Sequence, residues 1–162
     1  MTDRTRTIQW SDPLLTAQGA IGKTGRAFLQ AIIDGQLPAA PIQHALGFRL
    51  AEVGDGMTKF TGTFAEYMYN PMMGVHGGML CTLLDSCMGA AVMSALDENH
   101  GYTTVDLNVH LTRPVTVKTG DFIAEGHVIH RGNRVMTAEG KLFDTAGKLL
   151  AHATTTCLVI DR

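Results

Sequence analysis

The hydrophobic periodicity of this chain predicts an α+β fold, in which one long buried helix lies against a curved antiparallel β-sheet. Three observations carry the prediction. The run from Met79 to Leu96 is too long for a strand and is apolar on nearly every side. Downstream of it, short alternating segments follow one another from Tyr102 to Val159, separated by turn sequences. Upstream, "FRLAEVGDGMTKFTGTF" reads as two strands around Gly54-Asp55-Gly56. Such an order, with the long helix set between groups of strands, buries the helix against the sheet.

The elements follow in order. Residues 1–20 are polar and irregular, a lead-in with no periodic signal. "GRAFLQAIIDG" places Phe28, Ile32 and Ile33 near helical spacing and stops at Gly35. "LPAAPIQHALG" carries two prolines and reads as a rigid connector. The boundary therefore falls between a lead-in with its short helix, 1–35, and a single domain, 36–162. After the hairpin and the long helix, Val105, Leu107, Val109 and Leu111 fall on one face of a strand. Asp106, Asn108, His110 and Thr112 fall on the other, and Pro114 ends the ladder. Strands near 121–131, 134–144 and 149–159 are separated by the turns "RGNR" and "TAGK".

Composition excludes several function classes. With 162 residues, 45% hydrophobic and 17% charged, the chain is long enough for one core and too apolar for disorder. A formal net charge of -2 gives no general attraction for nucleic acid or an anionic membrane. "MTDRTRTIQW" has charges but no apolar run after it, so no secretory leader is expected. Cys81, Cys87 and Cys157 make neither a metal-type pair nor an even disulfide set, which fits reduced thiols and a cytoplasmic setting.

The chemistry concentrates in "NPMMGVHGGMLCTLLDSCMGAAVMSAL", where Asp85 is the only carboxylate. On a helical wheel Leu80, Leu83, Leu84, Cys87 and Ala91 share one face. Asp85 points well away from them, yet its neighbours are Cys81, Met88 and Val92. A carboxylate in such company needs partners, because desolvation costs several kcal/mol. Gly77 and Gly78 stand at the head of the helix, where N–H groups lack partners and the dipole is positive. That end suits a carbonyl oxygen gaining negative charge. Gly77 and Asp85 lie two turns apart, roughly 12 Å along the axis, too far for one chain to aim both at one atom. Two antiparallel helices meeting across a dimer could bring them together.

The ordered pattern Asn70, His76-Gly77-Gly78, Asp85 resembles the hotdog-fold acyl-CoA thioesterases. Its nearest likeness is the phenylacetic-acid-degradation (PaaI-like) branch of the 4-hydroxybenzoyl-CoA thioesterase superfamily. The likeness continues through "LPAAPIQHALGF", "TTVDLNVHLTRPV", "GDFIAEGHVIHRGNRV" and "AEGKLFDTAGKLLAHATTT", and so covers roughly residues 36–160. It implies a hotdog fold, a helix wrapped by the sheet, with active sites at a homodimer interface and a homotetramer as the expected assembly. It also implies an aryl- or medium-chain acyl-CoA substrate and no cofactor. By the same resemblance Asp85 is the general base or nucleophile, and Gly77 N–H from the other subunit meets the thioester oxygen. Asn70 orients water or the carbonyl with His76 beside it, and Thr104 assists the acid with Thr103 adjacent. Gly78, Met88 and Thr103 are expected among the substrate-binding residues. Arg113, Arg131 and Arg134, at strand ends and turns, are candidates for the CoA phosphates.

Other chemistries find less support. "AQGAIGKT" satisfies a relaxed phosphate-loop pattern, but no strand precedes it. The seven histidines show no metal-ligand spacing, and no Gly-x-Ser-x-Gly elbow occurs. Two alternatives to hydrolysis stay open: a non-catalytic acyl-CoA-binding domain, and a hydratase or dehydratase using His76 with an acid.

Overall fold

The computed structural model describes residues 3–162. Its elements are α1 (Pro13–Gly19), α2 (Gly25–Ile33), α3 (Pro41–Leu46), β1 (Phe48–Gly54), β2 (Met57–Thr63) and α4 (Gly77–Ser94). Then come β3 (His100–Leu111), β4 (Asp121–Arg131), β5 (Val135–Asp144) and β6 (Leu149–Asp161). The strands form one six-stranded sheet in the order β1-β2-β4-β5-β6-β3, with every neighbouring pair antiparallel.

Helix α4 lies on the concave side of this sheet. Leu83, Leu84, Cys87, Met88, Ala91 and Val92 have no exposed surface, so the expected apolar face is sealed against the strands. Burial of that kind stabilises by about 25 cal/mol per Å² of apolar surface. Close approach is possible because Gly126 and Gly140 face each other across β4 and β5. A Cβ on Gly126 would sit 2.7 Å from the Cys87 carbonyl oxygen. The Thr58 hydroxyl donates to that same oxygen at 2.7 Å, fixing the helix against β2. At the other end Ser94 Oγ donates to Ala91 O at 2.7 Å and accepts from Gly56 N–H at 2.9 Å. The β1–β2 turn, Asp55-Gly56, is thereby pinned to the last turn of α4, with Gly56 at φ +71°.

Two segments differ from the sequence expectation. The lead-in is not irregular throughout: Asp12 caps α1 by accepting from Leu14 N–H at 2.9 Å, and Pro13 supplies a ready φ at the first helical position. The connector likewise holds a helix, α3, begun by Pro41 and ended by Gly47 at φ +72°. In both places proline opens a helix at N1, where its missing N–H costs nothing. The short helix read as 25–35 is α2, capped by Thr24 and followed by Gly35 at φ +72°. Gly25 N–H donates to Leu96 O at 3.0 Å, so α2 is tied directly to the end of α4.

Strand β3 is a third departure. A register shift between Thr104 and Asp106 inserts Val105 as an extra residue opposite β6. Tyr102 and Thr104 before the shift, and Leu107, Val109 and Leu111 after it, pair with helix-side residues of β6. Val105 belongs to neither set and is 60% exposed. Leu107 and Leu111 remain 36% and 49% exposed, because β3 is the sheet's edge and α4 covers only its beginning.

Candidate active site

Asp85 sits on the flank of α4 turned towards β3 and is only partly covered. Thr104 Oγ1 donates to Asp85 Oδ1 at 3.0 Å. The bulge sets this pairing. It keeps Thr104 on the helix side, while Thr103, one residue earlier, faces outward and is exposed. Cys157 lies opposite Thr104 on β6 and is fully buried. Burial chiefly pushes its thiol up, the Asp85 charge adds to this, and hydrogen bonds from Thr155 and Thr104 oppose it. One oxygen of the carboxylate is therefore held by a hydroxyl while the other carries no protein bond among the described residues.

The start of α4 is built by a loop and a cap. Asn70 Oδ1 accepts from Met72 N–H at 2.9 Å and Gly74 N–H at 3.2 Å, closing a turn in which Met73 takes φ 63°. A non-glycine residue in that region is uncommon and is held here by the Asn70 bonds. The carboxamide oxygen is thus committed, and only its NH2 group remains for an incoming molecule. His76 is the N-cap residue, and its Nδ1 accepts from Gly78 N–H at 2.9 Å. Neutral His76 in this geometry carries its proton on Nε2 and presents a donor outward. Gly78 N–H is spent on the cap, whereas Gly77 N–H has no partner among the described residues. Of the two glycines, Gly77 is the one whose donor is open.

The remaining candidates scatter. Met88 has no exposed surface and packs against Gly140 of β5, so it is a core residue and not a lining one. Arg113 donates from Nε to Leu149 O at 3.2 Å, two residues beyond Leu111, which touches the Gly77 end of α4. Arg131 pairs with Asp55 at 2.9 Å, beside the opposite end of α4. Arg134 stands at the head of β5, its carbonyl accepting from Val159 N–H at 2.9 Å. Within one chain Arg131 and Arg134 neighbour each other, and Arg113 is apart from both. The phosphate-loop-like stretch falls on α1 and the α1–α2 turn, with no strand before it among the described residues. Among the described residues no group of three His, Cys, Asp or Glu side chains is arranged to hold a metal ion.

One residue of this site has no mark in the sequence pattern. Tyr102, two positions before Thr104 and on the same side of β3, lays its hydroxyl over Gly89, one turn beyond Asp85. The isolated Gly89 inside an apolar helix was the available signal, since such a glycine costs about 1 kcal/mol against alanine.

A single long helix cradled by a six-stranded antiparallel sheet, with an acid on its open flank, defines a hotdog-fold protein. The Thioesterase superfamily family model matches residues 74–151. A protein of Halobacterium salinarum named as an esterase is 36% identical over 114 residues, covering 67% of this chain and 74% of that one. Solved structures agree in fold. A thioesterase-type, phenylacetic-acid-degradation-related protein from Ralstonia eutropha superposes with TM-score 0.73 at 27% identity, over 80% of this chain and 98% of that one. The Escherichia coli PaaI protein, from the phenylacetic acid degradation operon, does so with TM-score 0.72 at 20% identity, over 85% and 95%. The chain belongs to the thioesterase superfamily.

Proposed function

We propose that this protein is an acyl-CoA thioesterase, hydrolysing an aryl- or medium-chain acyl-CoA to the free acid and CoA. The observation that carries the reading is the Asp85–Thr104 pair, a carboxylate oriented by a 3.0 Å hydroxyl bond on the open flank of an otherwise buried helix. In the proposed reaction Asp85 takes a proton from water as it attacks the thioester carbon, or attacks that carbon itself. The carbonyl oxygen becomes an oxyanion at Gly77 N–H of a second subunit. One such donor is typically worth about 3 kcal/mol in the transition state. Collapse of the tetrahedral intermediate breaks the C–S bond, and the CoA thiolate leaves and takes up the proton.

The shared site makes a homodimer the minimum assembly, with a homotetramer as the full one. The Asn70 NH2 group and His76 Nε2–H border the carbonyl as further donors. His76 is poorly set as a base, because accepting at Nδ1 from Gly78 already fixes its proton on the other nitrogen. That favours hydrolysis over hydration or dehydration. The unpaired thiols suit a reducing cytoplasm.

A panel of aryl, branched and straight-chain acyl-CoAs, followed with a thiol-trapping dye, tests the reading. Release of free thiol, lost in a folded Asp85→Asn protein, is the expected result. Saturable acyl-CoA binding without thiol release would make it a binding domain, and wild-type turnover in Asp85→Asn would remove Asp85 from the mechanism.

A further inference from the structure

Behind the Asp85–Thr104 pair, on the helix side of β6, stand two polar side chains that the proposed reaction does not use. Thr155 is 2% exposed and Cys157 has no exposed surface, so both are sealed in the core. The Thr155 hydroxyl donates to the Asp106 carbonyl oxygen at 2.7 Å, just past the bulged Val105. A bulge disrupts the ladder around its extra residue, and a covered carbonyl left there without a partner is costly. Thr155 supplies that partner from the neighbouring strand and so latches the bulge in place. A slip of one residue would exchange Thr103 for Thr104 on the side of α4.

Cys157 lies directly across from Thr104, and residues so placed bring their Cβ atoms to within about 4.5–5.5 Å. The count of available protons then limits what its sulfur can do. A threonine hydroxyl has one proton to give. That of Thr104 goes to Asp85 at 3.0 Å, and that of Thr155 goes to Asp106. Either hydroxyl could serve a thiolate only by leaving the acceptor it holds, and burial keeps the sulfur protonated. The S–H is therefore the group with a proton to spare, with the two threonine oxygens beside it as acceptors. The Thr104 oxygen is the better of the two. Its own proton is drawn to a carboxylate, and hydrogen bonds in a chain polarise one another.

We infer that Thr155 and Cys157 are the positioning residues of the Asp85 site, Thr155 by latching the bulge and Cys157 by donating its S–H to the Thr104 hydroxyl. The chain runs from Cys157 S–H through Thr104 O–H to Asp85 Oδ1. With its oxygen already accepting, the Thr104 hydroxyl keeps its proton aimed at the carboxylate. The second carboxylate oxygen is then left for the incoming molecule. Neither β6 residue touches the reacting atoms, and both lie beyond residue 151, where the family-model match ends. The inference rests on the thioesterase reading and adds to it a support that acts only through Thr104.

Thiol-release kinetics of Thr155→Val and Cys157→Ala, each alone and combined with Thr104→Val, tests the inference. Each single variant should lower kcat about threefold to fivefold at unchanged KM, less than Thr104→Val itself. Thr155→Ser and Cys157→Ser, which keep a donor at the same place, should return kcat to within about twofold of wild type. In the Thr104→Val background neither Thr155→Val nor Cys157→Ala should cost anything further, because both act through the hydroxyl already removed. Wild-type kcat in either single variant, or the same loss with and without Thr104, would overturn the inference. The infrared S–H stretch reads the chain without any substrate. It falls where proteins have no other band, and it moves to lower frequency when the thiol donates. The Cys157 band, assigned by its disappearance in Cys157→Ser, should move to higher frequency in Thr104→Val. If no thioester is cleaved yet the band moves, the thioesterase reading fails and the chain stands. If thioesters are cleaved and the band stays, the chain fails and the thioesterase reading stands. If neither cleavage nor a band shift is seen, both fail.

Discussion

The two flanks of α4 obey different rules. The flank of Leu80, Leu83, Leu84, Cys87 and Ala91 is sealed at 0–2% exposure against glycine-bearing strands. The flank that bears Gly77, Cys81, Asp85 and Gly89 contains two glycines, an acid and a partly covered thiol. Packing alone accounts for the first flank: side-chain volume there meets a matching sheet. The second leaves a donor, a carboxylate oxygen and a phenol without partners among the described residues, and on the proposed function these groups face the substrate. A helix that is apolar nearly all round therefore need not be structural all round.

That contrast can be broken from either side. Asp85→Asn should lower kcat by about a thousandfold, about 4 kcal/mol, with Tm unchanged or raised, because it removes a charge that packing does not need. Thiol-release kinetics beside a melting curve reads both quantities. On the sealed flank Leu83→Ala should do the reverse. It should cost about 3 kcal/mol of stability, or roughly 6–12 °C in Tm, while the folded fraction keeps its activity. Loss of activity without loss of stability would show that the two flanks are not separate.

The helix start permits a finer cut. Gly77→Pro deletes the open N–H at a position where proline is favoured, and His76 at φ -62°, ψ 130° already has the conformation a residue before proline prefers. Turnover should fall about a hundredfold with an unchanged melting curve. Smaller again is Thr104→Val, which keeps shape and removes the bond to Asp85; about a tenfold drop in kcat is expected, partly restored in Thr104→Ser. The mildest probe is a thiol reagent on the native protein. Cys87, whose thiol is pushed by burial up to about 12, and Cys157 should be silent until unfolding, leaving Cys81 as the only site labelled. Rapid labelling of Cys87 would mean that the sealed flank opens.

Much of the fold was legible in the chain. The periods of 2 and 3.6 locate α4 and the strands to within a few residues, and Asp55-Gly56 marks the hairpin. Helices α1 and α3 were not legible, because each has seven residues or fewer and a proline that also signals a turn. At the site, Asp85, Thr104 and Gly77 were legible as types in a pattern. Their division of labour was not: which glycine keeps its N–H open depends on the His76 cap, and Thr103 and Thr104 differ only by their side of the strand.

The sequence by itself determined the architecture, since local period and turn chemistry are properties of neighbouring residues. It also determined that one acid would stand in an apolar helix. Only the tertiary structure decided what that acid meets. The Val105 bulge shifts the parity of β3, bringing Thr104 onto Asp85 and Tyr102 over Gly89, and α2 folds back on α4 to close a cavity beside them. Those contacts join residues far apart in the chain, and a register slip of one residue is enough to reverse which of them meet.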